Sequence, residues 1–453
     1  MISVSPTTGE TIAEYAETTP DQVTQAIVRA HELQQTWAHT DLSDRSVLME
    51  AFAAILERNR EDLATLMADE MGKPITQGRA EVDKCAWVCR YYAQEAATIL
   101  ADVSIDTGRA SSYIAHRPLG IILAIMPWNF PLWQVIRFLA PALMAGNAAL
   151  LKHASNVTGC AIAIDKMVVE AGFPDGLFRA LVLPSSRVQE ALDHPFVAAA
   201  TLTGSDAAGR SVASRAGGLL KKTVLELGGS DPYLILADAD LDLAATACST
   251  GRLINGGQSC VAAKRLIVDR TVVDEFTAKL IDVMSSYKVG DPRDDATMVG
   301  PMARVDLRAE LQNQVARSVA SGARVVLGGD VPEGAGAFYP PTILTDVVPG
   351  MAAYHEEIFG PVASIITADD EADAIRIAND SDFGLGAAVF TRDVERGERI
   401  ARDYLEAGTC FVNGFVGSDP RLPFGGIKTS GYGRELSHIG MQEFLNIKTV
   451  VVN

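Results

Sequence analysis

The chain predicts an α/β fold built on parallel sheets, and three observations carry that prediction. From Leu119 onward, short apolar runs alternate with segments of helical periodicity. The alternation begins again after Cys260, over a stretch long enough for a core of its own. Glycine pairs and chemistry-bearing residues stand just past the predicted strand ends, where ligands settle in open parallel sheets. A chain of 453 residues exceeds one ordinary core and predicts two or three domains, and with 48% hydrophobic and 21% charged residues it has the material to fill them.

In chain order, residues 20–100 read as helical, with apolar residues at helical spacing over 21–31 and 43–57. Pro20-Asp21 and Asp41-Leu-Ser43 supply the caps. Glu70-Met-Gly-Lys-Pro74 interrupts the pattern, which resumes over 80–101. Residues 105–117 turn extended and polar, as a hairpin arm would. Strands are then expected at 120–125, 148–151, 198–202 and 223–225, with helices at 132–144, 158–171, 188–192 and 209–216 between them. The Gly/Ser/Asp/Pro cluster over 227–231 reads as a hinge. Beyond Cys260, strands are expected at 264–269, 324–327, 362–366, 386–390 and 409–412, with helices at 272–287, 305–321, 371–379 and 393–405. The β-branched end, Phe444 to Val452, would leave an open strand edge in a monomer, which pairing with another subunit would hide.

The chemistry centres on Ile254-Asn-Gly-Gly-Gln-Ser-Cys260, a loop able to present one thiol to a cleft. A thiolate is a strong nucleophile, and backbone N–H groups beside it can hold an oxyanion formed by attack on a carbonyl. Leu225-Glu226-Leu227-Gly228-Gly229 puts a carboxylate between apolar residues, where desolvation would raise its pKa and suit it to act as a base. Ile125-Met-Pro-Trp-Asn129-Phe-Pro-Leu-Trp133 holds one side-chain amide among rigid neighbours, as an oxyanion donor requires. Singly, each has a plainer reading: a small buried cysteine, a capping glutamate, a turn asparagine. Together they make a nucleophile, a base and an oxyanion donor.

These stretches, in this order, resemble the aldehyde dehydrogenase superfamily. Pro127-Trp-Asn129-Phe-Pro131, Thr203-Gly204-Ser205 with Gly209, Glu226-Leu-Gly-Gly229, Gly257-Gln-Ser-Cys260, Glu356-Glu-Ile-Phe359-Gly-Pro361 and Pro423-Phe-Gly-Gly-Ile-Lys428-Thr-Ser-Gly-Tyr-Gly-Arg-Glu435 span most of the chain. The resemblance implies a Rossmann-type cofactor domain (1–102 and 118–228), an α/β catalytic domain (229–430) and a small β oligomerisation arm (103–117 and 431–453). It also implies that Cys260 attacks an aldehyde and that Asn129 and the Cys260 N–H hold the oxyanion. Hydride then leaves for a nicotinamide, and Glu226 activates the water that releases a carboxylate. Glu435 is expected to be structural or to relay protons.

No G-x-G-x-x-G or Walker A sequence occurs at a useful place, but Gly204-Ser-Asp-Ala-Ala-Gly209 opens a helix after a strand and can host a pyrophosphate. By resemblance the cofactor residues are Met126, Pro127, Trp128, Lys152, Ser155, Gly204, Ser205, Gly209, Leu227, Gly228, Glu357 and Phe359. Ser155 stands where many NAD-preferring relatives carry a glutamate. The missing like charge leaves room for a 2′-phosphate, so NADP is expected over NAD. His153, where most relatives carry proline, adds an expected phosphate contact. Arg137, Trp133, Ser259 and Ser418 resemble the distal-carboxylate site of the succinate semialdehyde dehydrogenase branch. Arg137 is expected at the pocket entrance, and a salt-bridged helix arginine is the other reading. The expected reaction is succinate semialdehyde to succinate. The alternatives are an NAD-dependent enzyme for another semialdehyde or an aliphatic aldehyde, and a cysteine-dependent esterase or acyl-transfer enzyme.

A formal charge of −18 argues against nucleic acid or an anionic membrane as partner. The first residues lack a basic segment followed by an apolar one, and no apolar run is long enough to span a bilayer. Six unevenly spaced cysteines without a His cluster predict neither structural disulfides nor a metal site. The expectation is a cytoplasmic homodimer or homotetramer acting on a small aldehyde.

Overall fold

The computed structural model describes all 453 residues. Two sheets organise it. The first runs, edge to edge, Gly431–Tyr432, Lys222–Glu226, Val197–Thr203, Ile121–Met126, Ala148–His153 and Phe178–Ala180, parallel except for the first strand. The second runs Arg324–Leu327, Thr342–Thr345, Val362–Ala368, Ala263–Asp269, Asp231–Ile235, Gly386–Phe390 and Thr409–Val412, parallel except at Arg324–Leu327. Strands buried on both faces read as continuous apolar runs, which is why Ile121-Ile-Leu-Ala-Ile-Met126 was legible as one.

The expected strands are all present with bounds that differ by at most two residues, and Phe178–Ala180, Thr342–Thr345 and Asp231–Ile235 join them. Asp231 and Pro232 lie within the expected hinge and just beyond it, yet they open a central strand. The register shifts between them, so the N–H that proline lacks falls at an irregularity rather than in the regular ladder. The buried Asp231 carboxylate accepts a hydrogen bond from Gly386 N at 3.0 Å, which ties the strand start to its neighbour.

The N-terminal helices are Pro20–Trp37, Leu42–Arg58, Arg60–Met71 and Ile75–Ile99. The first is capped by Thr19 rather than by Pro20-Asp21, through a reciprocal pair of bonds with Gln22. Gly72, left-handed at φ 77°, ends the third, and helix resumes at Ile75 rather than at residue 80. These helices join the first sheet in one large apolar core, while two smaller cores lie on the two faces of the second sheet.

The arm is a three-stranded antiparallel sheet in which Leu445–Val452 pairs with Ser111–Pro118 over its whole length and Val103–Ser104 adds a short edge. Gly431–Tyr432 departs from the expected arm boundary, because it pairs with Lys222–Glu226 at the rim of the first sheet. No helix is long and apolar enough to cross a membrane. All six cysteines are free thiols.

Candidate active site

The loop that carries Cys260 is set by backbone conformation. Asn255, Gly256 and Gly257 follow one another in the left-handed region, at φ 56°, 62° and 73°. Asparagine and glycine are the residues that tolerate it. A Cβ on Gly257 would lie 2.2 Å from Gly360 O, so no side chain fits there. The reversed chain turns its polar groups onto the Pro127-Trp-Asn129 loop. Asn255 Nδ2 donates to Asn129 O at 2.7 Å and to Gln258 O at 3.1 Å.

Asn129 is buried and fixed from both sides. Its Oδ1 accepts from Gln134 Nε2 at 3.0 Å, and its Nδ2 donates to Gln258 O at 3.0 Å. Having both an outside donor and an outside acceptor decides which end of the amide is nitrogen. The second Nδ2 hydrogen and the Cys260 N–H have no acceptor within the chain. Glu81 locks the loop from below by accepting from Leu132 N and Trp133 N, both at 2.9 Å. It thereby caps the helix Trp133–Met144, which has no side-chain cap of its own, and it pairs with the buried Lys73.

Glu226 ends its strand fully buried, and neither carboxylate oxygen has a hydrogen-bond partner. Its pKa is driven well above the ordinary value, first by burial and then by Glu435, with Arg137 opposing. Arg137 is paired with Glu435 and stands 4.0 Å from Glu226 Oε2. The first sheet meets the cysteine loop closely here, since a Cβ on Gly229 would lie 2.6 Å from Cys260 O. Lys264 completes the contact by donating to Ser259 O at 2.9 Å and Cys260 O at 2.6 Å and by pairing with Glu357 at 3.1 Å.

Burial pushes the Cys260 thiol up to about 12, with Arg137 and Lys264 opposing. The thiol is therefore protonated near neutrality, and below its pKa the thiolate fraction grows tenfold per pH unit. Alkylation of the free protein by iodoacetamide, followed by mass spectrometry of the Cys260 peptide, is expected to accelerate about tenfold per pH unit between about pH 6 and 9. A plateau near neutral pH would contradict an unactivated thiol.

A cavity of about 240 Å³ opens beside Cys260, and its walls include Trp133, Arg137, Ser259, Ser418, Phe424 and Lys84. Four of these are the expected substrate residues, so the fold brings them together. Arg137 does not stand at the entrance: it is buried in the wall and committed to Glu435, as in the salt-bridged alternative. Lys84 was not singled out in the sequence, because one lysine on a long amphipathic helix reads as solvated surface. Gln134, Asn255 and Lys264 went unnoticed for a similar reason, since the partners that give them roles are remote in sequence or make backbone contacts.

The expected cofactor residues line the carboxyl end of the first sheet. Met126 ends one strand and Pro127 and Trp128 follow it, Lys152 is next to last in another, and Ser155 opens the turn after it. Gly204 and Ser205 precede the helix Asp206–Gly218, Ser205 caps it through Ala208 N, and Gly209 lies against Leu227. Leu227 and Gly228 follow Glu226, while Glu357 and Phe359 reach over from the second sheet, Phe359 edge-on to Trp128 at 5.8 Å. Lys152 is buried with only Ser185 Oγ, at 3.2 Å, as partner. An ammonium held out of water beside a lone hydroxyl suits a phosphorylated ribose, and the capped helix N-terminus after Gly204 suits a pyrophosphate. His153 does not contribute the expected phosphate contact. Its ring is turned inward, with Nε2 donating to Pro131 O at 2.9 Å and Nδ1 accepting from Ala154 N at 3.0 Å, and burial lowers its pKa to about 4.

The model of the Aldehyde dehydrogenase family matches residues 1–450. The chain is 48% identical over 450 residues to a protein of Synechocystis sp. named probable succinate-semialdehyde dehydrogenase, NADP(+), covering 99% of each. It is also 48% identical over 454 residues to a succinate-semialdehyde dehydrogenase, NADP(+), of Mycobacterium avium, covering 99% of this chain and 96% of that one. Among solved structures, a succinic semialdehyde dehydrogenase from Streptococcus pyogenes in complex with NADP+ superposes with a TM-score of 0.97 at 37% identity, covering 100% of this chain and 99% of that one.

Proposed function

The chain belongs to the aldehyde dehydrogenase family, and on that premise we propose that it oxidises succinate semialdehyde to succinate with NADP. The observation that carries the reading is the convergence of Cys260, Asn129 and Glu226 beside a cavity whose wall holds cations and hydroxyls. Full-length relatives at 48% identity bearing that name support the choice of aldehyde and cofactor.

The Cys260 thiol gives its proton to water and its sulfur attacks the aldehyde carbon, and the carbonyl oxygen takes the negative charge within reach of the free Asn129 amide hydrogen and the Cys260 N–H. Those donors are rigid before substrate arrives, so stabilising the oxyanion requires no reorganisation. A bound nicotinamide dinucleotide would supply the acceptor for the hydride of this carbon. A thioester on Cys260 remains. Glu226 in its ionised form, made more basic by burial, takes a proton from water, whose oxygen adds to the thioester carbon; the carboxylate product leaves and the Cys260 sulfur takes that proton as the thiol is restored. Glu435 and Arg137 sit behind Glu226 and set its charge. Ser155 and Lys152 would hold the 2′-phosphate of NADP, and Glu357 and Phe359 would hold its nicotinamide end. Glu357 Oε1 already accepts from Gly229 N at 3.0 Å, which leaves its second oxygen for the ribose.

Residues 1–102 with 118–228 form the cofactor domain, 229–430 the catalytic domain, and 103–117 with the C-terminal strand the arm. The arm's apolar residues Val103, Ile447, Val451 and Val452 are exposed, and Leu445–Val452 has a free edge. Both features suit pairing of arms in a cytoplasmic homodimer or homotetramer. Light scattering on the intact protein is expected to give a dimer or tetramer mass, and deleting residues 446–453 should shift it downward.

The function is tested by initial rates with succinate semialdehyde and with butanal, each with NADP and NAD. Preference for the carboxylated aldehyde and for NADP is expected. Equal kcat/KM for butanal would remove the carboxylate subsite, and a preference for NAD would remove the assignment of Ser155.

A further inference from the structure

We propose that Lys264 is a positioning residue that fastens the nucleophile loop to Glu357, so that one buried ammonium holds both the Cys260 peptide and the carboxylate assigned to the nicotinamide end of the cofactor. The inference rests on the dinucleotide reading of the site and goes beyond it by naming what joins the cofactor end to the reacting end.

Lys264 is the second residue of Ala263–Asp269, a central strand of the second sheet, and none of its surface reaches solvent. An ammonium in that place has to find partners for three N–H donors and an answer to its charge without water. The donors go to Ser259 O at 2.9 Å, Cys260 O at 2.6 Å and Glu357 Oε1 at 3.1 Å. The charge is answered by Glu357, with the buried Asp231 carboxylate further off. The same Nζ lies 5.8 Å from the Phe359 ring, so both residues expected at the nicotinamide end, Glu357 and Phe359, rest against it.

Glu357 shows the other half of the link. Its Oε1 is taken by Lys264 and by Gly229 N at 3.0 Å, while Oε2 faces Gly228, where a Cβ would lie 2.4 Å away. One oxygen is fixed and the other is presented over the residues expected to hold the dinucleotide. The Glu357 side chain comes from a turn and is 23% exposed, so without the ammonium a single backbone N–H would keep it from solvent. The other cations near the nucleophile loop do not make this connection. Arg252, fully buried, donates to Gly257 O and ties the loop to its own helix, Leu241–Leu253, with no carboxylate paired to it. Arg137 is paired with Glu435. Lys264 also opposes the rise in the Cys260 pKa, which places its charge within reach of the thiol as well as of the Cys260 carbonyl.

The test measures calorimetric affinities for NADP and for adenosine 2′,5′-bisphosphate, which carries the adenosine end without the nicotinamide. The proteins are the wild type, Lys264→Met, Glu357→Gln and the double variant. Lys264→Met should weaken NADP about tenfold, the scale of one charge-assisted hydrogen bond, and leave the bisphosphate within about twofold. Glu357→Gln should do the same. Because Lys264 acts on the cofactor through Glu357, the double variant should bind NADP within about twofold of the weaker single variant. In the free protein, alkylation of Cys260 by iodoacetamide at about pH 8 should slow about tenfold in Lys264→Met, as loss of a nearby cation raises the thiol pKa by about one unit. A wild type that binds neither ligand overturns the cofactor reading and this proposal with it. A double variant whose loss is the product of the single losses, about a hundredfold, separates Lys264 from Glu357 and overturns the link. Unchanged alkylation in Lys264→Met overturns its hold on the nucleophile loop, and equal weakening of both ligands overturns the positioning role in favour of a general structural one. Should the methionine variant not accumulate, Lys264→Gln takes its place in the same cycle.

Discussion

Replacing Cys260 by Ala is expected to abolish aldehyde oxidation, by about four orders of magnitude or more, while dinucleotide affinity stays within a few-fold of wild type. The substitution removes the only atom positioned to bond the aldehyde carbon, and nothing else in the cavity replaces it: Ser259 is buried beside it, but an unactivated hydroxyl is a far weaker nucleophile than a thiolate. The cost to the fold is small, since the side chain is only partly buried and its backbone is held by Lys264 and the left-handed loop, which remain. The measurement pairs initial rates of cofactor reduction with titration of protein fluorescence by NADP. Turnover retained in Cys260→Ala would overturn covalent catalysis. Lost turnover together with lost NADP binding would point to a structural role for the cysteine.

Glu226→Gln is the second large effect, and its signature differs. Glutamine keeps the shape but cannot take a proton from water, so hydrolysis of the thioester should slow about 10²- to 10⁴-fold while the earlier steps are impaired less. Rapid mixing with NADP and succinate semialdehyde should therefore show a burst of up to one equivalent of reduced cofactor per site, followed by a slow steady state, with the acylated Cys260 peptide visible by mass spectrometry. A slow reaction with no burst would place Glu226 before hydride transfer, as the base that ionises the Cys260 thiol. The geometry makes the experiment informative, because Glu226 has no hydrogen bond to lose in the resting site and its pKa is set by burial, by Glu435 and by Arg137.

Much of the site was legible because its chemistry had to sit at the carboxyl ends of parallel strands, and those ends are marked by local sequence. Asn129, Lys152, Ser205 and Glu226 each follow an apolar run that could be read as a strand. The glycine pair before Cys260 marked a loop able to present a thiol, and what builds that loop is the run of left-handed φ values at Asn255, Gly256 and Gly257. What failed was orientation and partnership. His153 sits in a stretch where phosphate was expected, yet its ring turns into the core, a choice set by the carbonyl of Pro131, which local pattern does not reveal. Asp231-Pro232 has turn composition but begins a central strand, because the irregular register and the Gly386 N–H absorb what the proline cannot donate.

The sequence by itself determined the fold class and the order of the elements, since periodicity and turn chemistry are properties of neighbouring residues, and it nominated Cys260, Glu226 and Asn129 as nucleophile, base and oxyanion donor through their combination and the family resemblance their motifs carry. Tertiary structure alone decided which charge answers which. Helical spacing places Arg137 and Lys84 on faces of their helices, but it does not say that Glu435, from the far end of the chain, takes the arginine and leaves the lysine with a serine. In a buried site the energy of a charge depends on its nearest counter-charge and on the water excluded around it. Both exist only once the two sheets have closed on one another.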